Sequence, residues 1–290
     1  MPLHKLSEDE LRSHCKRIVE ALELWLRRLV HVCLSETYGS DYFHATKSNG
    51  VDRVIRTEIA RRLSEAVVRE PARYSRPIDA ALLDDEIDIV CNPELYKAHF
   101  SQALGTTYTS SKELRAVLSR LVTPRNSLYH ANPISHHDAY RILCYAHDVI
   151  GDIQGYFARR NMGSQFNAPS IIRISDSRRH ARHFTVHDRT GSAMMDLSLD
   201  PAATLYSGDT ISVEVEVDAA FDPSQYSIGW MLSNIGGETG TGSKFTLELT
   251  DRHVSTRLCI VCRLDSKEPW HRFGTHDDQG EIAYRVLPRP

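Results

Sequence analysis

The spacing of apolar side chains changes once along this chain, and that change limits what it can fold into. Up to about residue 160 they recur every three to four residues, and beyond about residue 170 they alternate with polar ones. The first pattern paints a stripe along a helix, and the second paints one face of a strand. A chain that keeps both patterns, each in its own half, predicts a helical domain followed by a sheet domain.

In the first half, Ser7 followed by Glu10 fits a capping box, with the hydroxyl and the carboxylate each satisfying a free backbone N–H. Leu11, Ile18, Leu22, Trp25, Leu26, Leu29 and Val32 then form a helical stripe. Residues 51–70 make a second helix that stops at Pro71, residues 93–104 a short third, and residues 111–122 a longer one. Residues 135–160 are the strongest, with Ser135 as cap and Tyr140, Leu143, Cys144, His147, Ile150 and Ile153 as the stripe. The acidic run Asp84-Asp85-Glu86 with Asp88 reads as a solvated loop. The expectation is an all-α bundle of about five helices over residues 1–160.

In the second half, residues 210–217 alternate apolar and polar, and 171–174, 184–186, 226–232, 245–249, 256–261 and 282–286 add six further candidate strands. Gly208-Asp209, Asp222-Pro223, Gly236-Gly237 and residues 240–242 punctuate them. Seven short strands with Trp230 on a central one predict an all-β immunoglobulin-like sandwich over residues 171–290. Residues 161–170 read as the linker. The fold class is therefore α + β in two domains.

Composition narrows the rest. Hydrophobic residues at 41% and charged residues at 25% are enough to fill cores, which excludes a largely disordered or collagen-like chain. No apolar run reaches the length of a membrane span, and the opening residues lack the apolar core of a signal peptide, so the expectation is a cytoplasmic protein with no membrane partner. Six cysteines in such a chain read as reduced thiols. Residues 1–160 carry 22 basic and 21 acidic side chains, and residues 161–290 carry 13 and 17. Neither half is a basic coat for nucleic acid, so any such contact is a local site.

The candidate for chemistry is the segment 123–130, Thr-Pro-Arg-Asn-Ser-Leu-Tyr-His. With 28 arginines and 15 histidines, an Arg and a His five residues apart should occur by chance roughly 1.4 times, and three such pairs exist: Arg125/His130, Arg178/His183 and Arg182/His187. Context separates them. Thr123-Pro124 reads as an N-cap and first helical position, so Arg125 should open a helix whose free N–H groups and dipole favour an anion such as phosphate. Leu128 and Tyr129 should bury the opposite side. On one ideal helix Arg125 and His130 lie roughly 140° apart. Either the helix ends near His130 and lets it swing round, or two copies of the motif meet across a dimer, which is the arrangement favoured here.

A helical domain in which a long helix follows an Arg-Asn motif closed by His resembles the HEPN superfamily of ribonucleases and toxins. The resemblance covers roughly residues 5–160 and rests on Arg125, Asn126, His130 and the order of the helices. It implies metal-independent RNA cleavage by a homodimer whose two motifs face each other, with no cofactor and no metal ion, and it implies that some members have lost activity. The residue types suit that chemistry. RNA brings its own 2′-OH nucleophile, a histidine titrates near neutrality and moves protons, and an arginine fork meets charge developing on phosphate oxygens. Asn126 would orient the histidine or the ribose. The competing reading is a non-catalytic dimeric scaffold in which Arg125 and His130 are ordinary solvated side chains.

Other clusters carry less. His136, His137 and His147 contain no i,i+4 pair for a metal, although His136 suits an RNA contact. Cys259 and Cys262 fall in a strand, where such spacing points them to opposite faces. The basic stretch 173–189, with Arg178 and Arg179, suits an RNA backbone and suits a solvated strand pair equally. Trp270, His271 and His276 share one loop that reads as a recognition loop for a protein or small ligand, or as a hairpin tip.

Overall fold

The computed structural model describes residues 3–47, 50–71, 73–184, 192–233 and 239–289. The chain divides into two compact units, Met1–Asn161 and Met162–Pro290. The first is a helical region and the second a β-sheet region, an α+β layout in two parts.

The helical unit is built on α1 (Glu8–Tyr38), whose capping box between Ser7 and Glu10 is present. Trp25, Leu22, Leu26 and Leu29 are fully buried on it. It packs against α7 (His136–Arg159), α3 (Leu83–Val90) and α6 (Ser111–Tyr129). Trp25 meets Phe157 of α7 with ring centroids 6.2 Å apart. The second helix, α2 (Thr57–Arg69), starts later than the sequence pattern predicts. Residues 93–104 are helical but not uniform: α4 (Pro93–Leu95) and α5 (Ser101–Leu104) flank a turn of π-helix, Tyr96–Phe100.

Two expectations are corrected here. The acidic run is helix α3, not a loop, and Asp85 and Glu86 are buried. Acids in a first turn favour the positive end of the helix dipole, Asp85 accepts the Leu82 N–H, and Leu83, Ile87, Ile89 and Val90 supply the apolar face. On α7 the buried face is Ala139, Ile142, Ala146, Val149, Ile150, Ile153 and Phe157, while Tyr140, Cys144 and His147 of the expected stripe are exposed. Ala139 and Ala146 have no exposed surface. Ranking residues by bulk passes over such small seam positions.

In the sheet unit ten strands are described. One sheet runs β2 (Ala181–His183), β1 (Ile171–Asp176), β5 (Thr210–Val217), β8 (Lys244–Glu248). The other runs β3 (Ala193–Asp196), β10 (Asp278–Leu287), β9 (Ser255–Ser266), β6 (Tyr226–Leu232), β7 (Thr239–Thr241), with β4 (Leu205–Tyr206) also on β10. Most pairs are antiparallel, but β10 pairs in parallel with β3 and β4. Ala181–His183 form a strand that the sequence pattern did not mark; of the strand expected at 184–186, Phe184 lies outside a strand, and residues 185–186, like the Gly236-Gly237 turn, are outside the described residues.

Inward residues of both sheets form a single core. Within it Trp230 stacks on Phe245 at 5.7 Å and donates its indole N–H to the Gly242 carbonyl at 2.7 Å. The sheets are also tied by polar bonds: the Asp278 carboxylate accepts the Ile171 N–H at 2.7 Å, and the Tyr284 hydroxyl donates to Asp176 at 2.8 Å. In the segment read as a linker, Gly163–Phe166 form a short helix, α8, and Phe166, Ala168 and Ser170 are buried. Arg272 donates to the Ser170 hydroxyl at 3.0 Å and to the Ala168 carbonyl at 3.2 Å. All six cysteines are free thiols, and Cys259 and Cys262 are both buried in β9. No helix among the described residues is long and apolar enough to cross a membrane.

Candidate active site at the end of a helix

Helix α6 begins at the Ser110 cap, whose hydroxyl accepts the Glu113 N–H at 3.2 Å, and it runs unbroken through Pro124 to Tyr129. No new helix opens at Arg125. An interior proline removes one backbone hydrogen bond and crowds the preceding turn, at a cost of about 3 kcal/mol. Leu114, Leu118, Leu121 and Leu128 are buried on both sides of it and keep the helix continuous. The expected anion site at a helix N-terminus is therefore absent from this segment. Arg125 sits one turn from the negative C-terminal end instead.

The helix ends in a Schellman motif. His130 is the C-cap (φ −90°, ψ 12°), the Ala131 N–H bonds the Leu128 carbonyl at 3.3 Å, and the Asn132 N–H bonds the Ser127 carbonyl at 2.9 Å. Ala131 holds the left-handed position (φ 57°) that glycine usually fills. From α1, Arg12 donates to the Ala131 carbonyl at 3.1 Å and fastens this corner. His130 and Asn126 are exposed, and among the described residues the His130 ring makes no hydrogen bond or ion pair. Of the two arrangements that the motif spacing left open, the helix does end at His130.

Arg125 is 13% exposed at its side chain and already engaged. Its Nε donates to Glu23 at 2.9 Å, its Nη1 donates to Asn126 Oδ1 at 3.2 Å, and its guanidinium lies 4.2 Å from the centre of the Tyr129 ring. Lys16 Nζ lies 5.4 Å from the same ring centre. Tyr129 is 40% exposed rather than packed inside. Burial of its hydroxyl end, with Glu23 and Glu20 nearby, raises its pKa above the ordinary tyrosine value.

Glu23 is the residue that sequence reasoning missed. Its side chain is 4% exposed and also accepts Arg27 Nη2 at 3.1 Å. Arg27 passes the chain of charges on, with Nε donating to Glu86 at 2.8 Å and Nη2 to the Ala81 carbonyl at 2.6 Å. Burial pushes the Glu86 carboxyl well above the usual range, and Arg27 pulls against that shift. A signal did exist: Glu23 and Arg27 interrupt an apolar stripe whose period already placed it in the core.

The other candidates fall elsewhere. His136 is exposed at the first turn of α7. Arg178 is held by Asp209 at 2.6 Å and by the Thr204 carbonyl, while Arg179 is exposed with φ 74°. Arg173 pairs with Glu216, and Arg182 stacks over Phe184. In the loop before β10, Trp270 is 37% exposed, His276 stacks on Phe273, and His271 Nδ1 lies 3.0 Å from the buried Asp277 carboxylate. No group of three or more metal-ligating side chains exists among the described residues. Compared with known proteins, the chain matches no family model and no curated sequence.

Chemically, the end of α6 offers a guanidinium oriented by Glu23, an exposed amide and an exposed imidazole, all within about one and a half turns of one helix. Among the described residues Arg125 Nη2 donates to nothing, so one edge of the fork has no acceptor.

Proposed function

We propose that the helical unit is a metal-independent endoribonuclease of HEPN type: an all-α bundle that works as a homodimer in the cytoplasm, without a cofactor. The observation that carries this reading is the Arg125 fork, held through Nε by Glu23 with Nη2 free, beside exposed Asn126 and His130. In this mechanism one His130 takes the proton from the ribose 2′-OH as its oxygen attacks phosphorus. A protonated His130 gives a proton to the departing 5′-oxygen. Arg125 meets the charge on the non-bridging oxygens, and Asn126 orients the imidazole or the ribose. The products are a 2′,3′-cyclic phosphate and a 5′-hydroxyl, and DNA is not cut. His136 and the basic edge at Arg178 and Arg179 are the further RNA contacts of this reading.

The sheet unit, read as an immunoglobulin-like sandwich, would serve as the sensor or docking module, with Trp270, His271 and His276 in its recognition loop. A nuclease joined to such a module suits a toxin or antiviral defence role in bacteria, by analogy of architecture alone. The test is cleavage of RNA by the purified protein in EDTA. Cyclic-phosphate ends should form, and His130→Ala should lower the rate by about 10²–10⁴ and Arg125→Ala by about 10²–10³. Cleavage that survives both substitutions overturns the assignment.

The Glu23–Arg125 pair favours a second reading, in which Arg125 is structural and the bundle is a dimeric scaffold. Toxicity on expression that is relieved by His130→Ala would decide for the nuclease. An equally folded dimer with no toxicity would decide for the scaffold.

A further inference from the structure

Helix α2 carries a cavity of about 540 Å³, within the size range of small-molecule sites, and no residue of α6 lines it. Thr57, Ala60, Ser64 and Val68 recur at helical spacing on one wall, and Phe43 stands on the other. From Thr57 to Val68 the groove follows the helix for roughly 16 Å at 1.5 Å per residue. It is a slot along a helix rather than a round pocket.

Three features say what fits it. Val68 is 82% exposed, and together with Phe43 and Ala60 it offers an apolar lining. Ser64 lies one helical turn from both Ala60 and Val68, and its Oγ has no exposed surface, so the middle of this wall is small and presents no open polar atom. The lining also holds Arg53, Arg61 and Arg69 against Glu65, an excess of two positive charges with His44 neutral. Glu65 is taken by Arg61 at 2.8 Å and Arg69 lies 3.6 Å from Glu70, while among the described residues the Arg53 guanidinium donates only to the His44 carbonyl, a neutral acceptor. A flat ligand would leave the length of the slot unfilled, and a cationic one would leave its charge unmatched.

We infer that this slot binds an amphipathic carboxylate of the fatty-acid class. Its tail lies along Ser64, Val68 and Phe43, and its carboxylate receives the guanidiniums of Arg61 and Arg53 toward the Thr57 end. This site is separate from the α6 site and does not depend on the ribonuclease reading.

Calorimetric titration of the full chain with dodecanoate, dodecanol and decanoate tests the inference. Dodecanoate should bind saturably, one per chain, and decanoate roughly tenfold more weakly, as two methylenes fewer are buried. Dodecanol should bind at least tenfold more weakly than dodecanoate. Val68→Glu and the double variant Arg61→Glu/Arg69→Glu change exposed side chains, so far-UV circular dichroism should be unaltered. Each should weaken dodecanoate at least tenfold. Equal binding of the alcohol, no saturable binding, or affinity unchanged in the charge-reversed variants would overturn the inference. So would a dimer by sedimentation that Val68→Glu dissociates, since the slot would then be a contact between copies.

Discussion

Removing Glu23 should harm this protein more than removing the arginine it holds. Glu23 is buried at the meeting of two guanidiniums, Arg125 at 2.9 Å and Arg27 at 3.1 Å. Glu23→Gln keeps the shape and deletes the charge, leaving two cations with Glu86 as the remaining anion in the described chain of ion pairs. Breaking a buried pair from one side costs about 3–5 kcal/mol, and here two guanidiniums, 13% and 21% exposed at their side chains and so only partly resolvated, lose the same carboxylate. Arg125→Ala is a different perturbation. Arg125 reaches the surface, Glu23 keeps Arg27, and water enters the vacated space. What is lost is one charged hydrogen bond and the stack on Tyr129, together about 2 kcal/mol. Urea unfolding followed at 222 nm, which reports the helices, should place the Glu23→Gln midpoint below that of Arg125→Ala by about 1 M at unchanged slope. Equal midpoints, or a lower midpoint for Arg125→Ala, would refute the account of Glu23 as the anchor. The ordering also matters for enzymology, since a folded Arg125→Ala makes a loss of cleavage interpretable.

Three further outcomes follow from single residues. Ala131→Gly should stabilise the helical unit by about 0.5–1 kcal/mol, measured as a higher urea midpoint, because φ 57° strains any residue with a Cβ. Gly280→Ala should destabilise the sheet unit by about 1–3 kcal/mol in thermal unfolding, since a Cβ there would lie 2.7 Å from Cys262 Sγ and 3.0 Å from Ile174 Cδ1. Asp277 should make the loop before β10 acid-labile. Although burial opposes it, hydrogen bonds from His271, from Ser266 and from the Arg272 N–H hold its carboxyl below the usual range. A depressed folded pKa contributes stability above the unfolded value near 3.9, lost as pH falls through the folded one. Amide exchange at Ser266 and Arg272 should therefore accelerate below about pH 4 beyond its intrinsic trend, and Asp277→Asn should abolish that acceleration.

Where local pattern and tertiary demand agreed, the elements were legible. Ser7, Glu10 and Ser135 announce helix starts through hydrogen bonds that need only four residues of context, and those caps are where the sequence puts them. Alternation over 210–217 gives β5 at its observed bounds. Helix α3 failed for the opposite reason. Its acids look solvated until Arg27 and Arg62 come from α1 and α2 to neutralise them, and those partners are 59 and 23 residues away. The parallel pairing of β3 and β4 on β10 was equally hidden, because a two- or four-residue strand carries too little alternation to register.

The candidate site was legible in its residues and not in its frame. Thr-Pro is a sound local signal for a helix start, yet Pro124 sits inside α6 because buried leucines on both sides outweigh its cost. The consequence reaches the proposed chemistry. A helix start would have lent Arg125 free N–H groups and a positive dipole, whereas its actual place lends neither, and Glu23, 102 residues away in sequence, shares its charge. One such arginine is weak support for a doubly charged phosphorane. A second copy of the motif, bringing another guanidinium and another histidine, repairs that deficit. On the proposed function, dimerisation is then a condition of catalysis. Specific activity should fall as the protein is diluted through its dimer dissociation constant, and a monomer by sedimentation that cleaves RNA at full rate would contradict the mechanism.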